Sequence, residues 1–131
     1  MSLLAPDCGD LLALEYVLNK AAPDNVVLNL YTSNTTPAKG DTISTYTLCS
    51  ISGYSAITLT GSSWSVSTTS HVTTGSYAAQ TFNFSASGTV YGYVITNNSG
   101  ATVLWAELFT SGPFSVVNGS SITVTPQVTL A

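Results

Sequence analysis

Between residues 26 and 130 the apolar residues recur at every second position in short runs, and each run is closed by Gly, Asn, Ser or Pro. This pattern restricts the chain to strands, because alternate side chains of an extended backbone point to opposite faces of a sheet, whereas a helix would scatter them around its axis. The spacing predicts strands over 26–32, 43–49, 54–60, 63–67, 80–86, 90–96, 102–109, 114–117 and 121–130. The expected fold is mainly β: an antiparallel β-sandwich, jelly-roll-like, of about eight or nine short strands behind one N-terminal helix. A chain of 131 residues amounts to one domain, with the helix at 7–20 and the sandwich over 26–131.

The helix is the one departure from period two. Leu11, Leu14 and Leu18, with Leu12 and Glu15, fall at helical spacing. Asp7 is placed to cap it, Asp10 lies near the positive end of its dipole, and Lys20 lies at the negative end. Ala21-Ala22-Pro23-Asp24-Asn25 then stops it.

Strand positions follow from which faces are apolar. In residues 121–130, Ile122, Val124, Val128 and Leu130 alternate with Thr123, Thr125, Gln127 and Thr129, so one side is dry and one wet. Pro126 cannot donate to a ladder and marks an edge or a bulge there. Residues 90–96 and 102–109 are apolar on both faces, which predicts two central strands paired as a hairpin through Asn97-Asn98-Ser99-Gly100. Residues 33–41 and 68–75, mostly polar, are expected to be loops.

Only 6% of the chain is Asp, Glu, Lys or Arg, against about 25% in an ordinary soluble domain. Nineteen serines and twenty threonines take their place. A free monomer keeps a dense mixed-charge skin for solubility, whereas a subunit whose flanks are covered by neighbours loses little by dropping it. The composition therefore points to an assembly. The net charge is −4 and the only basic residues are Lys20 and Lys39, so nucleic acid phosphates and anionic membrane surfaces find no basic patch. The N-terminus lacks the basic flank of an export signal, and its Leu pair is followed at once by Pro6 and Asp7. Cys8 and Cys49 are expected to be free or buried thiols rather than a disulfide.

The residues that carry chemistry are few. His71, the only histidine, lies in a Ser/Thr-rich stretch with no acidic residue nearer in sequence than Asp41 and Glu107, and no nucleophile-elbow glycines accompany it. Two convergent carboxylates would have to come from six acids, three of which belong to the helix segment. Cys8, Cys49 and His71 lack metal-ligand spacing. The expectation is a non-enzymatic protein without catalytic residues, cofactor or metal. Glu107 stands out, because it lies inside the most hydrophobic strand, where an unpaired carboxylate is costly. Its partner is then a backbone N–H, a hydroxyl or a residue of a neighbouring subunit, unless the position faces outward at an edge. Trp64 and Trp105 alternate with apolar neighbours and read as core residues rather than a sugar-stacking platform. The sequons at Asn34, Asn83, Asn97 and Asn118 arise by chance at this Ser/Thr content.

Five stretches carry a resemblance: Leu-x-Leu-Tyr-Thr-Ser-Asn-x-Thr-Pro at 28–37, Gly-Tyr-Ser-Ala-Ile-Thr-Leu-Thr-Gly-Ser-Ser-Trp-Ser-Val at 53–66, Val-Tyr-Gly-Tyr at 90–93, Val-Leu-Trp-Ala-Glu at 103–107, and Ile-Thr-Val-Thr-Pro-Gln-Val-Thr-Leu at 122–130. Together they resemble a group of small virion proteins of tailed bacteriophages, cyanophages among them. The resemblance implies a capsid decoration, or cement, protein. Such a protein is made in the host cytoplasm and located on the capsid exterior. Its partners are the major capsid protein and copies of itself, commonly as a homotrimer. These are β-core motifs, so no functional residue is carried over. From the residues themselves, Leu3, Leu4 and Pro6, in an apolar arm ahead of the helix, and His71, in its loop, are the expected contacts with neighbouring subunits. A tail or baseplate component and a glycan-binding module on a fibre are the rival expectations.

Overall fold

The computed structural model of the chain describes residues 3–130; among these are one α-helix, α1 (Asp7–Val17), and eleven strands in antiparallel sheets. The strands are β1 (Val26–Tyr31), β2 (Ile57–Leu59), β3 (Ser65–Thr69), β4 (Val72–Ser76), β5 (Gln80–Asn83), β6 (Gly88–Val90), β7 (Gly92–Thr96), β8 (Val103–Leu108), β9 (Phe114–Val116), β10 (Ser121–Val124) and β11 (Gln127–Leu130). The principal sheet has the order β2-β1-β7-β8; smaller sheets are β10-β5, β11-β4-β3 and β6-β9. The arrangement is compatible with the expected β-sandwich.

Alternation along β1 and β7 gives the principal sheet two dry faces. Leu28, Leu30, Tyr93 and Ile95 share one cluster with Phe82, Val116 and Val124 of the smaller sheets and with Phe84 just beyond β5. Tyr31, Val94, Val103 and Ala106 form a second cluster with Tyr46. Each fully buried Leu, Ile or Phe contributes about 1.5–3 kcal/mol of transfer free energy. An irregularity in the β7–β8 pairing, where Ile95 faces Trp105 but Thr96 faces Val103, inserts Leu104 as an extra residue. That bulge lets Val103 and Ala106 share one cluster although their parity in sequence differs.

Four expectations are corrected. Residues 43–49 are a 3-10 turn (Ile43–Thr45) followed by a single bridge from Leu48 to Tyr31. Tyr46, extended again just after the turn, lays its ring 5.0 Å from that of Tyr31 and donates its hydroxyl to Asp41 Oδ2 at 2.7 Å. Residues 68–75 are not a loop: β3 and β4 form a hairpin in which Thr69 faces Val72, so only Ser70 and His71 turn the chain. Both have positive φ, 51° and 67°, the mirror-image turn that matches strand twist, but without the Asn-Gly that announces it in sequence. Helix α1 starts behind Pro6 rather than Asp7; the Pro6 carbonyl accepts from Gly9 and Asp10, while the Asp7 N–H is drawn to the Lys39 carbonyl at 2.8 Å. The helix ends at Val17 because Asn19 enters the left-handed region at φ 56°. Finally, β7 is central and buried throughout, but β8 is an edge strand.

The hairpin from β7 to β8 and the break at Pro126 are as expected. Gly100 takes φ 77°, and Asn97 Oδ1 accepts the Thr102 N–H at 3.0 Å. At Pro126 the chain leaves β5 and continues as β11 beside β4. Cys8 and Cys49 are free thiols.

Buried tyrosines brace the strands. Tyr54 accepts from the Leu30 N–H at 3.0 Å and donates to Asn29 Oδ1 at 2.9 Å, while its ring stacks 5.4 Å from Phe82. Burial pushes Tyr54 and Tyr31 from 10 up to about 12, with the charges of Asp41 and Glu107 adding to the rise at Tyr31. Tyr46 and Tyr93 are also raised, by burial first, then by the hydrogen bond to Asp41 and the charge of Glu107 respectively. A phenol that ionises near 10 unfolded but near 12 folded gives its full stabilisation below pH 10 and loses it as the pH rises toward 12. The melting temperature is therefore expected to fall steeply above pH 10, with the late tyrosinate absorbance at 295 nm appearing together with loss of the β circular dichroism signal. Replacing Ser70-His71 by Asn-Gly is expected to stabilise the fold by about 1 kcal/mol in a urea titration, because both positions already hold the backbone those residues prefer.

Candidate functional site

Helix α1 is attached to the sheet through its backbone. A Cβ built on Gly9 would lie 2.5 Å from the Leu104 carbonyl oxygen and 2.7 Å from that of Val103, so the helix approaches β8 more closely than any side chain permits. The Cys8 sulfur lies 3.5 Å from the Val103 and Asp41 carbonyl oxygens. Lys39 donates to Asp10 at 2.6 Å on the surface and is raised by that hydrogen bond.

That attachment turns the leucine stripe outward. Leu11, Leu14, Val17 and Leu18 are between 57% (Leu14) and 81% (Val17) exposed. On the flank of the same helix, Ala13 borders an open apolar groove of about 360 Å³, walled by Trp64, Val66, Trp105, Val128 and Leu130. Trp64 meets Tyr77 edge-on at 5.2 Å. Both tryptophans pack against the main core, as expected from the sequence, but are only half-buried and so also wall this groove. The four helix residues, together with Val66 and Leu130 of the groove, leave large apolar side chains more than half exposed, which marks this side of the molecule as a candidate contact surface.

A second cleft, of about 430 Å³, has the opposite character. It is lined by Leu3, Tyr93, Glu107 and Phe109 and by polar residues of the C-terminal strands, among them Thr123, Gln127 and Thr129. Strand β11 divides the two clefts by parity: Gln127 and Thr129 face the polar one, Val128 and Leu130 the apolar one. Glu107 is half-buried and faces Tyr93 across the β7–β8 pair. The Tyr93 hydroxyl donates to Glu107 Oε2 at 2.9 Å. The carboxylate thus has a hydroxyl partner and also sits on an edge strand, two of the alternatives left open by the sequence.

The residues expected at a subunit interface lie apart from the apolar face of α1. Leu4 exchanges two backbone hydrogen bonds with Ala106, at 2.9 and 2.8 Å, and covers part of the exposed edge of β8. Pro6 is fully buried and Leu3 half-buried at the polar cleft. Leu4 and Pro6 are thus held by their own chain, and Leu3 and Leu4 remain partly accessible; Met1 and Ser2 lie outside the described residues. His71 is exposed at the hairpin tip. The exposed helix face was legible only as a period, because a leucine stripe looks the same whether it faces the core or the solvent.

Among the described residues no group of three His, Cys, Asp or Glu side chains converges, and no helix is long and apolar enough to cross a membrane. Comparison with protein-family models, curated proteins and solved structures gives no match to this chain.

In an isolated helix Gly9→Ala would add about 1 kcal/mol of stability. Here the methyl group would press on the β8 backbone, so the variant is expected to lose about 1–3 kcal/mol in chemical denaturation, with faster hydrogen exchange along α1 and β8.

Proposed function

We propose that the protein is a structural subunit, a decoration or cement protein that binds the outside of a tailed-phage capsid as a homotrimer and stabilises the shell by bridging major capsid subunits. The observation that carries this reading is the exposed apolar face formed by Leu11, Leu14, Val17 and Leu18 with the Trp64–Trp105 groove. Apolar side chains exposed in this number are costly to leave in water and mark a surface suited to contact with another polypeptide. A low ionic content fits the same role, since a surface without charges is covered by another polypeptide without stranding ions. The resemblance of the strand motifs to phage virion proteins supplies the setting. Multivalency supplies the strength: one oligomer gripping several capsid subunits gains avidity without new kinds of contact.

The site for that contact is α1 and its groove, not the N-terminal arm. Leu14→Glu combined with Leu18→Glu changes only exposed side chains, so the variant is expected to fold and melt within a few degrees of the parent. It is expected to lose binding to expanded capsids in a co-sedimentation assay and to lose self-association in light scattering. A copy number in the hundreds per particle fits decoration, whereas about a dozen or fewer would move the protein to the tail. A parent chain that stays monomeric at high concentration and sediments with no particle would overturn the reading.

A further inference from the structure

The polar cleft at Glu107 holds a carboxylate that neither lysine of the chain neutralises. The two bases of the sequence are occupied elsewhere: Lys20 lies 3.9 Å from Glu15, and Lys39 is paired with Asp10. One oxygen of Glu107 accepts from Tyr93, and among the described residues nothing donates to the other. A half-buried carboxylate with one hydrogen bond has room for several more donors.

The walls narrow the chemistry of what could supply them. The ring of Phe109 lies 6.0 Å from that of Tyr93 and 5.2 Å from that of Phe114. Thr123, Gln127 and Thr129 add neutral oxygen acceptors around the mouth. A carboxylate without a cation, with neutral oxygens around it, matches a group that carries only donors and a positive charge. A guanidinium has five N–H donors in a planar fork and pairs with a carboxylate through two of them. A sugar fits less well, because it needs a flat, open ring face, and Tyr93 is buried while Phe109 is wedged between two neighbours.

We propose that this cleft is a binding site for an arginine side chain of a partner polypeptide, with the guanidinium donating to the Glu107 carboxylate and its remaining N–H groups turned to the threonine and glutamine oxygens. The proposal stands on the cleft and does not depend on the apolar face across β11, so either can fail alone.

The test is an NMR titration of the full chain with N-acetyl-arginine amide, whose blocked ends mimic a side chain on a polypeptide. Saturable shifts are expected at Tyr93, Glu107 and Gln127, including the Glu107 carboxylate carbon, and binding is expected to weaken as salt is raised. Glu107→Gln keeps an oxygen for the Tyr93 hydroxyl and is expected to weaken binding by about tenfold or more. N-acetyl-lysine amide is expected to bind more weakly and methyl glucoside to leave these resonances unmoved. Should Glu107→Gln fail to fold, the salt dependence and the carboxylate shift of the parent chain decide. Absence of saturation, binding indifferent to salt, binding unchanged in folded Glu107→Gln, or the same shifts from methyl glucoside instead of the arginine amide would each overturn the proposal.

Discussion

Tyr31 lies against Gly92, and most of the molecule is arranged around that contact. A Cβ at Gly92 would overlap the Glu107 carbonyl oxygen and the phenol of Tyr31, so β1, β7 and β8 come together there only because one residue has no side chain. The fully buried tyrosine uses the space to donate to the Thr35 carbonyl at 3.0 Å, with the Glu107 carbonyl at 3.4 Å. From there the order spreads outward. Tyr46 packs on Tyr31 and bonds Asp41; Asp41 accepts from the Ala38 N–H at 2.8 Å; and Lys39, in the same loop, holds the first turn of α1 through its carbonyl and its ammonium. A hydrogen bond of this kind is worth only about 1 kcal/mol net, but together they fix where the helix lies on the sheet.

The placement of α1 decides what the surface offers. A helix usually turns its apolar stripe to the core and its polar side to water. Here the close approach at Gly9 puts backbone against backbone and leaves the leucines outside. The same geometry opens a dry groove on one side of β11 and a wet cleft on the other, so a four-residue strand separates two surfaces of opposite chemistry. Strict alternation does the sorting: Val128 and Leu130 cannot share a side with Gln127 and Thr129.

Much of the strand content could be read directly, and the errors have identifiable causes. Residues 26–31, 92–96 and 103–108 form strands as their alternating or two-faced apolar patterns indicate. Residues 43–49 failed because Ile43, Tyr46 and Leu48 look like strand residues while their packing on Tyr31 requires a turn. The β3–β4 hairpin was hidden because its turn uses Ser70 and His71 in positive φ, a conformation stabilised by the flanking ladder rather than by local preference. β8 looked central because both its faces are dry, yet among the described residues its outer edge pairs through one bridge, from Leu4 to Ala106. Dry faces report what lies above and below a strand and say nothing about what lies beside it.

The sequence by itself determined the alternation, and with it the mainly β fold, the single helix, the β7–β8 turn and the break at Pro126, because each depends on a few neighbouring residues and their φ, ψ preferences. It also marked Glu107 as a carboxylate that either has a partner or faces outward at an edge. Tertiary structure alone decided that the partner is Tyr93, that the leucine stripe of α1 faces water, and that residues 4–6 belong to their own sheet. Those outcomes depend on which elements meet, and the meeting is set by contacts far apart in the chain, such as Gly9 on Leu104 and Tyr31 on Gly92, that no local pattern records.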